Sequence, residues 1–187
     1  GTDAGFYRLI PQIVVKVESE GEVIRVLVEA AAAGLTVTFR AGGTSLSGQS
    51  VSDSVLVVLG KGWNGYSISP DGSTIQLQPG IVGAHANAYL APYDRRIGPD
   101  PASINAAMMG GIVANNASGM CCGTAQNSYR TLEGMRVILA DGTVLDTREP
   151  RSRADFLVKK RAMVEAIEAL AAAVREDVDL TARIRRK

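Results

Sequence analysis

The first third of the chain alternates short apolar runs with polar segments in a way that predicts strands around one helix. Mainly apolar residues occupy 13–17, 37–39 and 55–59, each of which has the length of a strand. Between the first two runs, apolar residues recur at helical spacing over 24–31. A strand, a helix and a strand in this order indicate a βαβ unit, so we expect the first two strands to be parallel.

The predicted helix carries signals for both of its ends. Ser19 and Glu22 have the spacing of a capping box, in which the serine oxygen accepts from a free helix N–H group and the glutamate reaches back. Gly34 stands where a left-handed residue would end the helix. We therefore expect one helix between these residues.

The pattern then changes to short alternating segments, which predict two hairpins. One pair flanks the turn signal Pro70-Asp71-Gly72, and the other flanks Asp141-Gly142. The four segments are 66–69, 74–78, 132–139 and 143–146. Residues 81–90 predict a short helix between the hairpins.

Two further stretches follow neither pattern. Residues 98–130 are crowded with Gly, Asn, Ser and Pro and show little periodicity, while their low charge and embedded apolar residues argue against disorder. Such a long irregular stretch is typical of a functional region. From about Ala154, an apolar stripe that includes Ile167 and Leu170 predicts a helix whose apolar face has no evident partner.

These elements predict an α+β fold with two lobes. Residues 1–60 would form an N-terminal βαβ lobe with short parallel strands. Residues 61–147 would form a second, mainly antiparallel β lobe with flanking helices. Residues 148–187 would be the helical start of a following domain, so we expect this chain to be part of a longer protein.

Composition removes several classes of function. The net charge of +1 over 187 residues argues against nucleic acid as a partner. His85 is the lone histidine, and the adjacent Cys121 and Cys122 lack the spacing of metal ligands, so we expect no metal site. No apolar stretch reaches the ~18 residues that a membrane-spanning helix needs. We read the protein as cytoplasmic, with peripheral attachment at the inner membrane as an alternative.

A glycine-rich loop at residues 40–49 directly follows the second predicted strand. Gly42 and Gly43 lack Cβ atoms, so consecutive N–H groups can converge on a phosphate, and the hydroxyls of Thr44 and Ser45 can add donors. No Lys-Ser or Lys-Thr follows, as a P-loop would require, and the spacing is not that of a Rossmann turn. The alternative is an ordinary glycine-rich loop.

A second polar region covers residues 97–103 and 109–119. Prolines there remove backbone donors, Gly110 and Gly111 permit close approach, and asparagine and serine side chains supply uncharged donors and acceptors. These groups suit a large neutral heteroaromatic ring better than a metal. The alternative is a structural cluster of Asn and Gly turns.

Together with Pro79-Gly80, these segments resemble the FAD-binding domain of the vanillyl-alcohol oxidase and para-cresol methylhydroxylase superfamily. Within it, the chain resembles the D-lactate, glycolate and D-2-hydroxyglutarate dehydrogenase branch. Residues 115–130 look like bacterial D-lactate dehydrogenase-type proteins, some of which are fused to an iron–sulfur domain. Several motifs in the right order are far more specific than any one of them.

The resemblance implies a set of FAD-binding residues. The N–H groups of Ala41 to Ser45 would hold the pyrophosphate, and Val137 would present its backbone to the adenine. The full set is Arg40, Ala41, Gly42, Gly43, Thr44, Ser45, Gln49, Pro79, Gly80, Pro99, Asp100, Ser103, Gly110, Gly111, Asn115, Ser118, Gly119 and Val137.

Two departures from the family pattern matter. Ala41 replaces a glycine common in the family, so this residue must avoid a positive φ. Thr44 and Ser45 stand where some relatives carry a histidine bonded to FAD, so we expect non-covalent FAD.

The resemblance also implies an enzyme that oxidises a small 2-hydroxy acid such as D-lactate. Electrons would pass to an iron–sulfur domain, a quinone or an electron-transfer protein. The relatives place their catalytic groups in a substrate domain, so no catalytic residue is assigned and we expect this chain alone to be inactive. The alternatives are a non-catalytic interaction or assembly module without the cofactor, and a regulatory domain that senses another nucleotide.

Overall fold

The computed structural model describes residues 1–186, and these contain both predicted kinds of element. The strands are β1 (Ile13–Val17), β2 (Val37–Arg40), β3 (Val55–Leu59), β4 (Tyr66–Ile68), β5 (Ile75–Leu77), β6 (Arg136–Ile138) and β7 (Val144–Asp146). The helices are α1 (Glu20–Ala32), α2 (Gly83–Leu90), α3 (Met109–Ala114), α4 (Ser128–Thr131), α5 (Pro150–Lys159), α6 (Arg161–Glu176) and α7 (Val178–Arg185), and a 3-10 turn (Ala91–Tyr93) follows α2. The predicted α+β class is confirmed.

The chain divides into two compact units. The first consists of residues 1–133 together with 138–143, and the second of residues 134–137 together with 144 onward. The first unit holds the parallel sheet, the β4–β5 hairpin and helices α1 to α4. The second holds the three C-terminal helices.

The first unit is built on a three-stranded parallel sheet in the order β1-β3-β2. The predicted βαβ strands are parallel as expected, but they do not pair with each other, because β3 lies between them. Burial explains the order. Val55, Leu56 and Val57 of β3 are all buried, which requires cover on both faces. Ile13 and Val14 of β1 are exposed, which suits an edge strand.

Helix α1 supplies the main core on one side of this sheet. Val23 and Leu27 of α1 pack with Val17 and Val57 of the sheet, and each of these side chains is at most 8% exposed. Trp63 completes the cluster, and its indole N–H donates to the carbonyl oxygen of Val17 at 2.9 Å. This bond satisfies a buried donor and holds the segment after β3 against the end of β1.

The ends of α1 follow the predicted signals with one adjustment. The Ser19 side chain accepts from the N–H of Glu22 (3.4 Å), but the Glu22 carboxylate accepts from the N–H of Glu18 (2.6 Å) instead of that of Ser19. Gly34 has φ of 67° and donates to the carbonyl oxygen of Ala31 (3.1 Å). The left-handed glycine therefore closes the helix as expected.

Strands β4 and β5 form the first predicted hairpin, with antiparallel register from Tyr66 opposite Leu77. Gly72 adopts φ of 67° in the turn. The hydroxyl of Ser69 and the N–H and hydroxyl of Ser73 donate to the Asp71 carboxylate. These bonds stabilise the ionised form, so they lower the pKa of Asp71 from 3.8 to about 2.

The long irregular stretch contains two helices that the periodicity did not indicate. Helices α3 and α4 are six and four residues long, which is too short to produce a recognisable apolar stripe. Ser128 is buried between them, and its hydroxyl lies 3.1 Å and 2.9 Å from the carbonyl oxygens of Ile112 and Ala117. Helix α2 begins two residues later than predicted, at Gly83.

The second predicted hairpin is present, since β6 and β7 pair in a two-stranded sheet and Gly142 in the turn has φ of 81°. The single C-terminal helix predicted from about Ala154 is wrong. The segment forms α5, α6 and α7 and begins earlier, at Pro150. The second break occurs where the Asp177 side chain accepts from the N–H of Leu180 at 2.8 Å, which caps a new helix.

Candidate functional site

The glycine-rich loop at residues 40–49 leaves the carboxyl end of β2 with an open set of backbone donors. Gly43 adopts φ of 64°, a left-handed conformation that other residues resist. Ala41 avoids a positive φ as expected, since the non-glycine residues with positive φ among those described are Asp94 and Asn116. Within residues 1–186, none of the N–H groups from Ala41 to Ser45 donates a hydrogen bond to another residue. Residues 41–45 are half-buried, so these donors are partly shielded from solvent.

A positive charge lies directly beside these donors. A Cβ atom on Gly43 would lie only 2.7 Å from Cζ of Arg40, so the guanidinium packs against this glycine. The same guanidinium donates to the carbonyl oxygen of Thr2. Several free N–H groups next to a guanidinium form a site that favours an anion with several oxygens, such as a phosphate.

The side chains of the loop contribute unequally. The Ser45 hydroxyl donates to Oε1 of Gln49, and it also accepts from the N–H of Ser47 at 3.4 Å. Ser45 can therefore offer its N–H group to a ligand more readily than its hydroxyl. The Thr44 hydroxyl makes no hydrogen bond within the part of the chain that the structure describes, so it is available as a donor.

The loop meets the second polar region, which lies more than sixty residues further along the chain. A Cβ atom on Gly42 would lie 2.5 Å from the carbonyl oxygen of Ala106 and 3.3 Å from the nitrogen of Met108. Cβ of Ala41 lies 3.8 Å from the Cβ position of Gly111 in α3. Gly42 is thus required by the close approach of two backbones, and the structure brings these two predicted segments together.

The Pro79-Gly80 motif joins the same assembly. Gly110 donates to the carbonyl oxygen of Pro79 at 2.9 Å, and Met109 donates to that of Ile81 at 2.8 Å. On its other side, Gly80 lies against the backbone of Trp63, with its Cβ position 2.5 Å from the carbonyl oxygen. Three motifs that are separate in sequence therefore surround the start of α3.

A cavity of about 390 Å³ opens at the carboxyl ends of β1 and β3, beside these motifs. Gly80 and Met108 line it together with the buried ring of Trp63. Lys16 and Lys61 also line it and add positive charge. This open pocket therefore combines an apolar wall with two lysine side chains, one of which, Lys16, lies 3.5 Å from the Glu18 carboxylate.

The remaining predicted residues are placed less closely to the loop. Gly119 lies on the backbone of Asp100, where a Cβ atom would overlap the Asp100 carbonyl oxygen. Pro99 is buried, and the carbonyl oxygen of Ser103 accepts from the N–H groups of Ala106 (2.8 Å) and Ala107 (2.7 Å), which shapes the segment that Gly42 touches.

The cofactor-binding roles of all the predicted residues stay predictions, and for three of them the structure adds no contact with the loop. Asn115 and Ser118 are exposed, and no contact in residues 1–186 joins their side chains to the loop. Val137 belongs to the second compact unit. By contrast, Asn116 has a structural role, since its Oδ1 accepts from the N–H of Tyr129 at 3.0 Å in a left-handed turn.

The sequence reasoning missed Thr2, Ala4, Ala106 and Met108, all of which contact the loop. They do so mainly through backbone atoms, which leave no signal in residue type.

The lone histidine and the two cysteines are the other candidate side chains. His85 is exposed on α2. Cys121 is exposed and Cys122 is buried, and both are free thiols. Among the described residues, no group of three or more His, Cys, Asp or Glu side chains could hold a metal ion. None of the helices in residues 1–186 is long and apolar enough to cross a bilayer.

Comparison with known proteins identifies the family. Residues 11–148 match the FAD binding domain family. The chain is 31% identical over 151 residues to D-2-hydroxyglutarate dehydrogenase from Pantoea ananatis (strain AJ13355), a match that covers 79% of this chain and 15% of that protein. It is 30% identical over 141 residues to Glycolate oxidase subunit GlcD from Escherichia coli (strain K12), covering 74% of this chain and 28% of that protein.

The fold is similar to that of 6-hydroxy-D-nicotine oxidase from Arthrobacter nicotinovorans, with a TM-score of 0.68 and 18% identity over 78% of this chain and 32% of that one. The chain spans less than a third of the length of each of these proteins. Because the family match extends over most of the chain and agrees with the predicted motifs and their order, the chain belongs to the FAD-binding domain family.

Proposed function

We propose that the loop from Ala41 to Ser45 binds the pyrophosphate of FAD, and that the domain serves an enzyme that oxidises a D-2-hydroxy acid such as D-lactate. The observation that supports the phosphate site is the set of unused N–H groups between Ala41 and Ser45 beside the Arg40 guanidinium. Backbone donors that already point at one place bind a phosphate without further ordering of the chain.

The proposed cofactor site extends from this loop to the motifs that meet it. Its glycines would allow the cofactor to approach the backbone closely, and its polar side chains would form hydrogen bonds. Val137 would present its backbone to the adenine. The site consists of Arg40, Ala41, Gly42, Gly43, Thr44, Ser45, Gln49, Pro79, Gly80, Pro99, Asp100, Ser103, Gly110, Gly111, Asn115, Ser118, Gly119 and Val137.

We propose that FAD is bound without a covalent link. Thr44 and Ser45 occupy the loop positions where a histidine bonded covalently to FAD could stand. Neither threonine nor serine is a residue type that usually forms a covalent bond to a flavin. His85 is exposed on α2, and no hydrogen bond in the described residues joins it to the loop. The cofactor would be retained by hydrogen bonds and by packing.

The bound flavin would accept a hydride equivalent from C2 of the hydroxy acid. The residues of this chain would bind and orient the cofactor, and we assign none of them to the chemical step. A small 2-hydroxy acid and an acceptor for the electrons are the proposed partners, the acceptor being an iron–sulfur domain, a quinone or an electron-transfer protein. We propose a cytoplasmic location, with attachment at the inner membrane as the alternative.

A titration with three ligands tests the assignment. FAD should bind more tightly than FMN, because FMN lacks the second phosphate and the adenine. ADP should compete with FAD, because it carries the pyrophosphate that the loop would hold. Flavin fluorescence quenching measures both affinities. Equal affinity for FAD and FMN, with no competition by ADP, would contradict the pyrophosphate site and favour the non-catalytic alternative.

A further inference from the structure

The first ten residues fold back against the glycine-rich loop. Thr2 and Arg8 pair in an antiparallel bridge, and the N–H of Leu9 donates to the carbonyl oxygen of Gly1 at 3.1 Å. These bonds close residues 1–9 into a small hairpin, which we call the N-terminal segment. It lies outside residues 11–148, which match the FAD binding domain family, so its contacts with the loop are not explained by the family assignment.

Two polar contacts join this segment to the loop. The N–H of Ala4 donates to the carbonyl oxygen of Gly43 at 3.1 Å. The carbonyl oxygen of Thr2 accepts from the Arg40 guanidinium, which also packs against Gly43. Both contacts therefore act on the left-handed glycine and on the cation beside it.

Packing adds two further contacts along the same loop. The Cβ position of Gly5 lies 2.6 Å from the carbonyl oxygen of Leu46, so the two backbones touch. The ring of Tyr7 lies 3.2 Å from the Cβ position of Gly48, which has φ of 76°. The N-terminal segment thus follows the loop over its whole length from Arg40 to Gly48.

The bond from Ala4 has a directional consequence. The carbonyl of Gly43 and the N–H of Thr44 belong to one planar trans peptide unit, and they point in opposite directions. A donor that holds the Gly43 oxygen on the side of the N-terminal segment therefore turns the Thr44 N–H away from it. On that other side the Thr44 N–H is free to meet a ligand, as the open donors of the loop show.

We propose that Ala4 and Thr2 are positioning residues for the cofactor site: they orient the Thr44 N–H and the Arg40 guanidinium for a pyrophosphate. This inference rests on the proposed binding of FAD to the loop. The segment touches no proposed ligand, so it acts by ordering the loop before binding, which lowers the entropy that binding would otherwise lose.

A proline scan of the segment tests the proposal. Ala4→Pro removes the N–H that holds Gly43, whereas Ala4→Ser keeps it. Phe6→Pro is the matched control, since the Phe6 N–H makes no hydrogen bond in the described residues. It also removes a ring that stacks on Tyr7 with centroids 4.6 Å apart, so it disturbs the N-terminal segment without removing the Ala4 bond. The measurements are the FAD dissociation constant and the NMR chemical shift of the Thr44 amide without FAD, on variants shown by circular dichroism to be folded.

We expect Ala4→Pro to weaken FAD binding about fivefold, the equivalent of one lost hydrogen bond. It should also shift the Thr44 amide signal, because that N–H shares a peptide unit with the Gly43 carbonyl. Ala4→Ser and Phe6→Pro should match the parent chain in both measurements. If Ala4→Pro does not fold, deletion of residues 1–8 replaces it, because the matched domain begins at residue 11. That deletion should weaken FAD binding at least as much as Ala4→Pro would.

The possible outcomes distinguish a failure of this inference from a failure of the proposed binding of FAD on which it rests. If the parent chain binds FAD while Ala4→Pro or the deletion binds it equally well, the positioning role is refuted and the cofactor assignment stands. If Phe6→Pro weakens binding as much as Ala4→Pro, the effect is general disruption and the positioning role is also refuted. If the parent chain shows no preference for FAD, the proposed function fails, and the positioning role fails with it.

Discussion

Gly43→Val is the sharpest perturbation of the proposed phosphate loop. Gly43 has φ of 64°, and a β-branched side chain resists this region, so the backbone alone costs roughly 1–2 kcal/mol. The new Cβ atom would also lie 2.7 Å from Cζ of Arg40, so the guanidinium must leave its place or the loop must change shape. Strain and blockage at such a site cost about 1–3 kcal/mol, which corresponds to roughly 5- to 150-fold in FAD affinity.

Gly34→Val is a matched control for this experiment. Gly34 has nearly the same φ, 67°, and no atom lies within 4 Å of its Cβ position. It precedes β2, whereas the loop follows β2, so the two glycines lie at opposite ends of this strand. Gly34→Val should lose stability through backbone strain alone, and Gly43→Val should lose at least as much, but Gly34→Val should keep the parent affinity for FAD.

Fluorescence quenching measures the affinity, and urea denaturation measures the stability of each variant. A folded Gly43→Val that binds FAD like the parent would show that this loop is not the phosphate site. A loss of affinity in Gly34→Val equal to that in Gly43→Val would show that the effect comes from general destabilisation. Either result would refute the reasoning from loop geometry.

Two further predictions concern linkage and pH. Acid precipitation of the FAD complex should leave all flavin fluorescence in the supernatant, because no bonding side chain occupies the loop; flavin that stays with the precipitate would overturn the non-covalent assignment and point to Cys121, Cys122 or His85. The pKa of Asp71 is lowered to about 2 by its bonds to Ser69 and Ser73, so the ionised carboxylate supports the hairpin turn fully above pH 3.8, and this support is lost as pH falls through 2. An NMR titration should place the Asp71 midpoint near 2, and Asp71→Asn should remove the pH dependence of the Gly72 and Ser73 amide signals between pH 4 and 2. A midpoint near 3.8 would contradict the hydrogen bonds of this turn.

Gly42 and Gly43 show how far residue type can predict a site. The sequence indicated that Gly42 and Gly43 would allow backbone donors to converge. The structure separates their roles, since Gly43 is needed for its positive φ and Gly42 for its contact with the backbone of Ala106 and Met108. Both requirements select the same residue type, so only the three-dimensional arrangement distinguishes them.

Other features depended on contacts that residue type does not encode. Ala4 contacts Gly43 through a backbone hydrogen bond, which almost any residue type at position 4 could make. The short helices α3 and α4 are stabilised by their surroundings, including the buried Ser128, and contain too few turns to show a period. The predicted single C-terminal helix failed for a related reason, because the apolar stripe continues across a break that a local cap at Asp177 creates.

The sequence by itself determined the family of this protein and those helix ends and turns that carry local signals. Ser19 caps the start of α1 and Gly34 follows its end, because both signals act through hydrogen bonds to residues within a few positions. The turn at Gly72 is local in the same sense, and the order of the motifs identified an FAD-binding domain. Only the tertiary structure decided that β3 lies between β1 and β2, and that the glycine-rich loop meets both the start of α3 and the N-terminal segment. The physical reason is that these arrangements depend on burial and on backbone contacts between distant segments, which no single stretch of sequence contains.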